Sequence, residues 1–137
     1  MNLTIRHQGF AKKIICNAQI TSIDSDKSIK VTAMWDTGAT RSLINDSIVK
    51  KLQLKAINLA IIKHVAGTET YPVYSAALKI QGGMKIKEHR FVSFPNIHTF
   101  DMIIGMDIIT LGKFCIENKN NNSFFSFLYS PYGFHSV

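Results

Sequence analysis

Apolar and polar residues alternate through most of the chain, the period of a half-buried β-strand. In the segment 29–35, Ile29, Val31, Ala33 and Trp35 share one face, while Lys30, Thr32 and Met34 share the other. The next residue, Asp36, continues that second face. Residues 78–87 predict a hairpin: Leu78 and Ile80 alternate with polar neighbours, Gly82-Gly83 turns, and Met84 and Ile86 alternate with Lys85 and Lys87. Two glycines supply the positive φ angles a tight hairpin turn needs. The same alternation predicts strands over 2–7, 12–20, 54–65, 69–76, 90–94, 101–104, 113–117 and 123–129.

Two short helices interrupt the strands. The first is expected to start near Asn45-Asp46, good N-cap residues, and to run to about Leu52 with Ile44, Ile48, Val49 and Leu52 as its apolar stripe. The second is expected over Met106 to Leu111, with Gly112 as its stop. Many short strands in a chain of 137 residues indicate a barrel or a sandwich.

Composition supports a folded chain. Hydrophobic residues make up 46% and charged residues 18%, which excludes disorder. At this length about two-thirds of the unfolded surface is buried, so neither disulfides nor a metal are needed for folding. One domain is expected over 1–130, with 131–137 as a candidate disordered tail. Cys16 and Cys115 are too few for a disulfide scaffold or a four-ligand zinc site, and two buried thiols in a reducing compartment are expected. The N-terminal segment lacks the apolar core of a signal peptide. The uncharged stretch 120–137 is interrupted by Asn, Ser, Pro, Gly and His, a poor membrane span. A cytoplasmic protein without a membrane segment is the expectation.

The net charge is +7. This sign can attract nucleic acid, acidic peptides or anionic membranes. The charges are spread along the chain, and the clusters Lys12-Lys13, Lys50-Lys51 and Lys85 to Arg90 each lie among apolar residues in regular order. Solvated faces explain them. Phe91 and Phe94 beside Arg90 are too little for a nucleic-acid stacking surface, so nucleic acid is not the expected partner. The five His residues (7, 64, 89, 98 and 135) stand at no familiar metal-ligand spacing from Cys, Asp or Glu. No metal and no cofactor are expected.

The informative segment is Val31-Thr32-Ala33-Met34-Trp35-Asp36-Thr37-Gly38-Ala39-Thr40. A strand delivers one carboxylate directly into a turn. Thr37 can bond locally to fix that turn. Gly38 lets backbone approach the carboxylate, or a substrate, without a Cβ in the way. Taken alone these are ordinary turn formers. A second segment changes their meaning: Phe100-Asp101-Met102-Ile103-Ile104-Gly105-Met106-Asp107-Ile108-Ile109. Together, and in this order, the two segments resemble the retropepsin-type aspartic peptidases, the single-domain class of retroviruses, retrotransposons and their bacterial relatives. The resemblance covers roughly residues 12–117.

The resemblance implies an all-β fold, a small closed barrel of the acid-protease type with one short C-terminal helix. It also implies a mechanism that needs two carboxylates a few ångströms apart, sharing one proton because like charges that close cannot both ionise. The chain has a single Asp-Thr-Gly, so the second carboxylate must come from another copy, in a twofold homodimer acting on a peptide or protein substrate. By resemblance Asp36 is the catalyst, Thr37 bonds across the dimer axis, Gly38 lines the cleft and Ala39 is the small residue that follows. Ile103, Ile104 and Gly105 pack beneath the active-site loop.

Relatives cover the cleft with a hairpin flap, here His64 to Tyr74, with Ala66, Gly67 and Thr68 as substrate-binding residues and Gly67-Thr68 as the tip. The retroviral enzymes place an acid after Asp-Thr-Gly-Ala and an Arg after the Gly of the later motif. Here Arg41 and Asp107 stand in those regions with the charges exchanged, and an Arg41–Asp107 ion pair joining loop and helix is expected. The aromatic segment Ser123 to Tyr129 would be an aggregation hazard if exposed. Retropepsin dimers are joined by a sheet of chain termini, so burial in a dimer interface is the expectation, with an intramolecular strand covering the barrel as the alternative. The reading is an aspartic endopeptidase. A catalytically silent peptide-binding or dimerisation module of the same fold is its rival, and a basic nucleic-acid-binding barrel is a weaker third.

Overall fold

The computed structural model describes residues 2–95 and 100–129. Along them run β1 (Asn2–Gln8), β2 (Ile14–Thr21), β3 (Ser28–Trp35), β4 (Leu43–Asn45), α1 (Asp46–Leu52), β5 (Asn58–His64), β6 (Gly67–Ile80), β7 (Met84–Phe94), β8 (Met102–Ile104), α2 (Met106–Ile109), β9 (Gly112–Lys119) and β10 (Asn122–Tyr129).

Strands β2, β3, β8, β4, β7 and β6 are bonded in that order. The last of them returns to the first through the register Ala18↔Ile80 to Thr21↔Ala77, so a six-stranded barrel closes. Closure removes the unpaired edges an open sheet would leave. The fold is therefore the small all-β barrel that the alternation and the motifs imply. Two pairings are parallel, β3 with β8 and β4 with β7. The first matters most. Trp35 lies opposite Ile104, so both strands leave the barrel at the same end, one into Asp36 and the other into Gly105.

Val31, Ala33 and Trp35 are buried, as the period predicts. Ile20, Leu78, Ile80, Met102 and Ile104 meet them inside the barrel. Each large side chain so buried stabilises the fold by about 1.5–3 kcal/mol relative to exposure. A second sheet, in the order β1-β10-β9, packs over the barrel. Phe125 and Phe127 of β10 lie 5.1 and 4.8 Å from the Trp35 ring, centroid to centroid. The aromatic C-terminal segment is thus an intramolecular strand, paired on both sides, and its apolar face covers this chain's own barrel. A dimer interface is not what buries it. Residues 131–137 lie outside the described residues.

The helix-start signal is met: Asn45 caps α1, its side chain accepting from the Ser47 N–H at 3.0 Å. The second helix is shorter than expected, Met106–Ile109. Gly112 does not stop it; it opens β9 opposite Tyr129. A Cβ there would sit 2.5 Å from the Leu128 carbonyl and 2.6 Å from the Phe127 ring, so close packing requires this glycine. Strand β4 carries no readable period in three residues, yet both of its edges are paired. The expected strand 69–76 and the first arm of the expected hairpin 78–87 are one continuous strand, β6, with a register shift between Ala76 and Leu78. Cys16 is buried but Cys115 is exposed, so the expectation of two buried thiols holds for only one. No helix among the described residues is long and apolar enough to cross a membrane.

Candidate active site

Asp36 leaves β3 with its N–H bonded to the Ile104 carbonyl at 2.9 Å. The Gly38 N–H turns back to donate to Asp36 Oδ1 at 2.8 Å, and the Ala39 N–H donates to the Asp36 carbonyl at 3.2 Å. A Cβ on Gly38 would lie 3.2 Å from that same Oδ1, tighter than side chains normally tolerate. Gly38 therefore lets backbone approach the carboxylate. Among the described residues Asp36 Oδ2 accepts no hydrogen bond, and the Thr37 hydroxyl has no partner. The turn is fixed by the Gly38 amide, not by the local Thr37 bond that the sequence suggests. Asp36 is half-buried, while Thr37 and Gly38 are exposed.

The loop 36–42 is tied to the second motif at several points. The Met106 N–H donates to the Ala39 carbonyl at 2.7 Å. The Gly105 N–H donates to Ser42 Oγ at 3.0 Å. Gly105 is buried so tightly that a Cβ would meet the Ala39 carbonyl oxygen at 2.7 Å and the Arg41 backbone at 2.8 Å. Ile104 is fully buried and Ile103 half-buried, directly beside the loop.

Asp107 does not pair with Arg41. Its Oδ2 accepts from the Ser42 N–H and from His89 Nε2, each at 2.9 Å. Its Oδ1 accepts from Ser42 Oγ at 2.7 Å and from the Ile108 N–H at 3.0 Å. These donors fill both oxygens, and among the described residues Arg41 forms no ion pair. Arg41 lines a polar recess beside Asp107, together with Glu88, His89 and Arg90. Burial by itself pushes the Asp107 carboxyl up. The His89 and Ser42 hydrogen bonds outweigh it and hold the group below its ordinary range.

The segment expected as the flap forms the β5–β6 hairpin, with His64 opposite Gly67. Its tip is therefore Val65-Ala66, not Gly67-Thr68. Gly67, at φ 136°, takes the left-handed conformation just after the tip. Val65 is fully exposed there. Beneath the hairpin, Ala60, Val73 and Val92 are buried, with Leu43, Ile62 and Tyr71 packed against them. Tyr71 stacks on Phe94 at 4.7 Å. Ser42, His89 and this apolar cluster are the neighbours of the site that sequence reading passes over. Their partners lie on other elements, and no local pattern marks them. Among the described residues no group of three or more His, Cys, Asp or Glu side chains could hold a metal ion.

A closed six-stranded barrel carrying Asp-Thr-Gly at the end of one strand, tied to Ile-Ile-Gly at the end of its parallel neighbour, defines the retropepsin-like aspartic protease class. The chain belongs to the aspartyl protease family, whose sequence profile matches residues 21–108. Among solved structures, a retropepsin-like aspartic protease from Rickettsia conorii aligns over 95% of this chain and 95% of its own, with TM-score 0.59 and 13% identity. The protease of simian foamy virus aligns over 69% and 89%, with TM-score 0.49 and 22% identity. The retroviral protease-like domain of Ddi1 from Leishmania major aligns over 85% and 93%, with TM-score 0.48 and 21% identity. No curated protein matches at a significant level.

Proposed function

We propose that the chain is an aspartic endopeptidase that acts as a twofold homodimer, with Asp36 of each copy forming the catalytic dyad. The observation that carries this reading is the state of Asp36. It is fixed by backbone bonds at the end of a barrel strand, and among the described residues one of its carboxylate oxygens is unbonded and the neighbouring Thr37 hydroxyl has no partner. Those are the groups a symmetry mate would engage.

Two Asp36 carboxylates in contact hold one proton between them and titrate as a pair. The ionised member takes a proton from a water, and the water oxygen bonds to the scissile carbonyl carbon. The protonated member gives its proton to the carbonyl oxygen. Collapse of the resulting diol breaks the C–N bond: one member of the dyad gives its proton to the departing nitrogen while the other takes a proton from a diol hydroxyl. This leaves the carboxylic acid and amine products and returns the dyad to its one-proton starting state. In this reading Gly38 and Ala39 line the cleft floor and Thr37 crosses the dimer axis. Ile103, Ile104 and Gly105 support the loop, and the hairpin tip carrying Ala66, with Gly67 and Thr68 following it, closes over the peptide. The family match over residues 21–108 and the barrel fold support it.

The test is light scattering across concentration together with cleavage of a peptide library at acidic to neutral pH. The expected result is a dimer near twice 15.4 kDa and cleavage that Asp36→Asn reduces by about a thousandfold or more. A strict monomer, or equal cleavage by Asp36→Asn, would reject the proposal. The rival silent module predicts a dimer or peptide complex without turnover. The nucleic-acid reading is not favoured: Phe91 is fully buried and one face of Phe94 is taken by Tyr71, so the two rings do not form a stacking platform for bases.

A further inference from the structure

We infer that His89 is a positioning residue of the active-site loop, acting on it through Asp107 and Ser42; the inference rests on the peptidase reading above.

Ser42 is the node of the loop. It is fully buried, and each of its polar groups is used. Its N–H and Oγ–H both go to Asp107, its Oγ accepts the Gly105 N–H, and its carbonyl accepts the Val92 N–H at 3.1 Å. Loop, helix entry and β7 therefore meet at one residue, which the Asp107 carboxylate holds by two bonds, one to its backbone N–H and one to its hydroxyl. That carboxylate is the sole charged member of the node, and it is partly removed from water.

His89 supplies its counterpart. An ionised carboxylate has no proton to give, so the 2.9 Å contact requires the proton on His89 Nε2. The imidazole is 17% exposed, and Phe91 meets its ring edge-on at 5.1 Å, which fixes its plane. The other charged groups facing this recess are Arg41, Glu88 and Arg90. Arg41 and Arg90 form no ion pair among the described residues, and Glu88 accepts from the Ser75 hydroxyl. None of the three bonds to Asp107. Residue 89 lies opposite Ala76 of β6, the strand whose first half is the flap. The His89–Asp107 bond thus fastens the flap-bearing ribbon to the loop that carries Asp36.

Without His89, Asp107 Oδ2 keeps only the Ser42 amide, while Oδ1 keeps the Ser42 hydroxyl and the Ile108 N–H, so the carboxylate loses its tie to β7 and is held less firmly. The Ser42 and Gly105 bonds that depend on it then fluctuate more, and the placement of Asp36 loosens with them. Small misplacements of a reacting group cost rate more than they cost binding.

The test compares His89→Ala with His89→Gln, whose terminal amide can still donate to Asp107. Amide hydrogen exchange is read at Ser42 and Gly105, and kcat and KM are read on a cleaved peptide. In His89→Ala both amides are expected to exchange about tenfold faster or more, with most core amides unchanged. The accompanying kcat should fall about tenfold with KM within about twofold. His89→Gln should restore both readouts most of the way. Should His89→Ala not fold, His89→Asn, too short to reach Asp107, serves in its place. Unchanged protection at Ser42 and Gly105, equal acceleration at all core amides, or no rescue by Gln would overturn the inference. A wild-type chain that cleaves no peptide would sink the peptidase reading, while the exchange data would still decide whether His89 positions the loop.

Discussion

Gly105 shows how a single missing atom joins two motifs. Its Cα stands where a Cβ would collide with the carbonyl of Ala39 and the backbone of Arg41. Backbone cannot yield as a flexible side chain can, so Gly105→Ala must push the active-site loop away from β8. We expect destabilisation of about 1–3 kcal/mol, the usual cost of overpacking, read by urea unfolding. A loss below a few tenths of a kcal/mol would show that the loop shifts freely. The two thiols make a second contrast at this scale. Cys16 is buried and accepts from the Trp35 indole N–H at 3.3 Å. Burial pushes its thiol up to about 11, only partly offset by the indole bond. Cys115 is exposed. A thiol reagent at pH 8 should therefore modify one cysteine quickly and the other only after unfolding. Two fast thiols would contradict the buried position of Cys16. Asn120 and Asn121, at φ 52° and 60°, form the turn between β9 and β10. Paired asparagines tolerate that conformation.

At the scale of elements, α2 is too short to hold its own place and is anchored by Asp107. Folding keeps this carboxyl below its ordinary 3.8. The contribution is therefore complete above the unfolded carboxyl's range and is lost as pH falls from about 4 down through the lower folded value. Unfolding free energy measured from pH 6 to 2.5 should fall less steeply for Asp107→Asn than for the wild type, although the variant is less stable at neutral pH. Parallel curves would show that Asp107 is not among the groups that drive acid unfolding. Arg41, placed in sequence to be its partner, is not. Ser42 of the same loop and His89 of β7 reach the carboxylate first, and reach depends on barrel geometry, not on charge order along the chain.

At the scale of the molecule, a site shared by two copies has a consequence that a self-contained site lacks. If each dimer needs two Asp36 carboxylates, mixing wild type with Asp36→Asn must produce mixed dimers with one acid. After equilibration of an equal mixture, about a quarter of the dimers are wild type in both halves. Activity should fall to about a quarter of that of the same total chain as wild type, and not to half. Half would mean that each chain works alone.

The alternation of apolar residues determined the strands, because a sheet buries every second side chain whatever lies across from it. The inward row Val31, Ala33, Trp35, the Asn45 cap and the Gly82-Gly83 turn were legible for the same reason: each is a local fit between a residue and its own backbone. The pairing of Asp36-Thr37-Gly38 with Ile103-Ile104-Gly105 was legible through resemblance. Tertiary structure alone decided the rest. The parallel register of β3 and β8 brings those motifs to one end of the barrel, and no period along the chain encodes which strand lies beside which. It placed the flap tip at Val65-Ala66, since the tip follows from the register Ile62↔Glu69 and His64↔Gly67 across the hairpin. It folded the aromatic C-terminal strand onto its own barrel, because Trp35 and the β1 and β9 edges were there to receive it. It gave Asp107 to Ser42 and His89. A hydrogen bond is settled by which donors arrive within three ångströms, and donors from distant parts of the chain arrive only when the barrel closes.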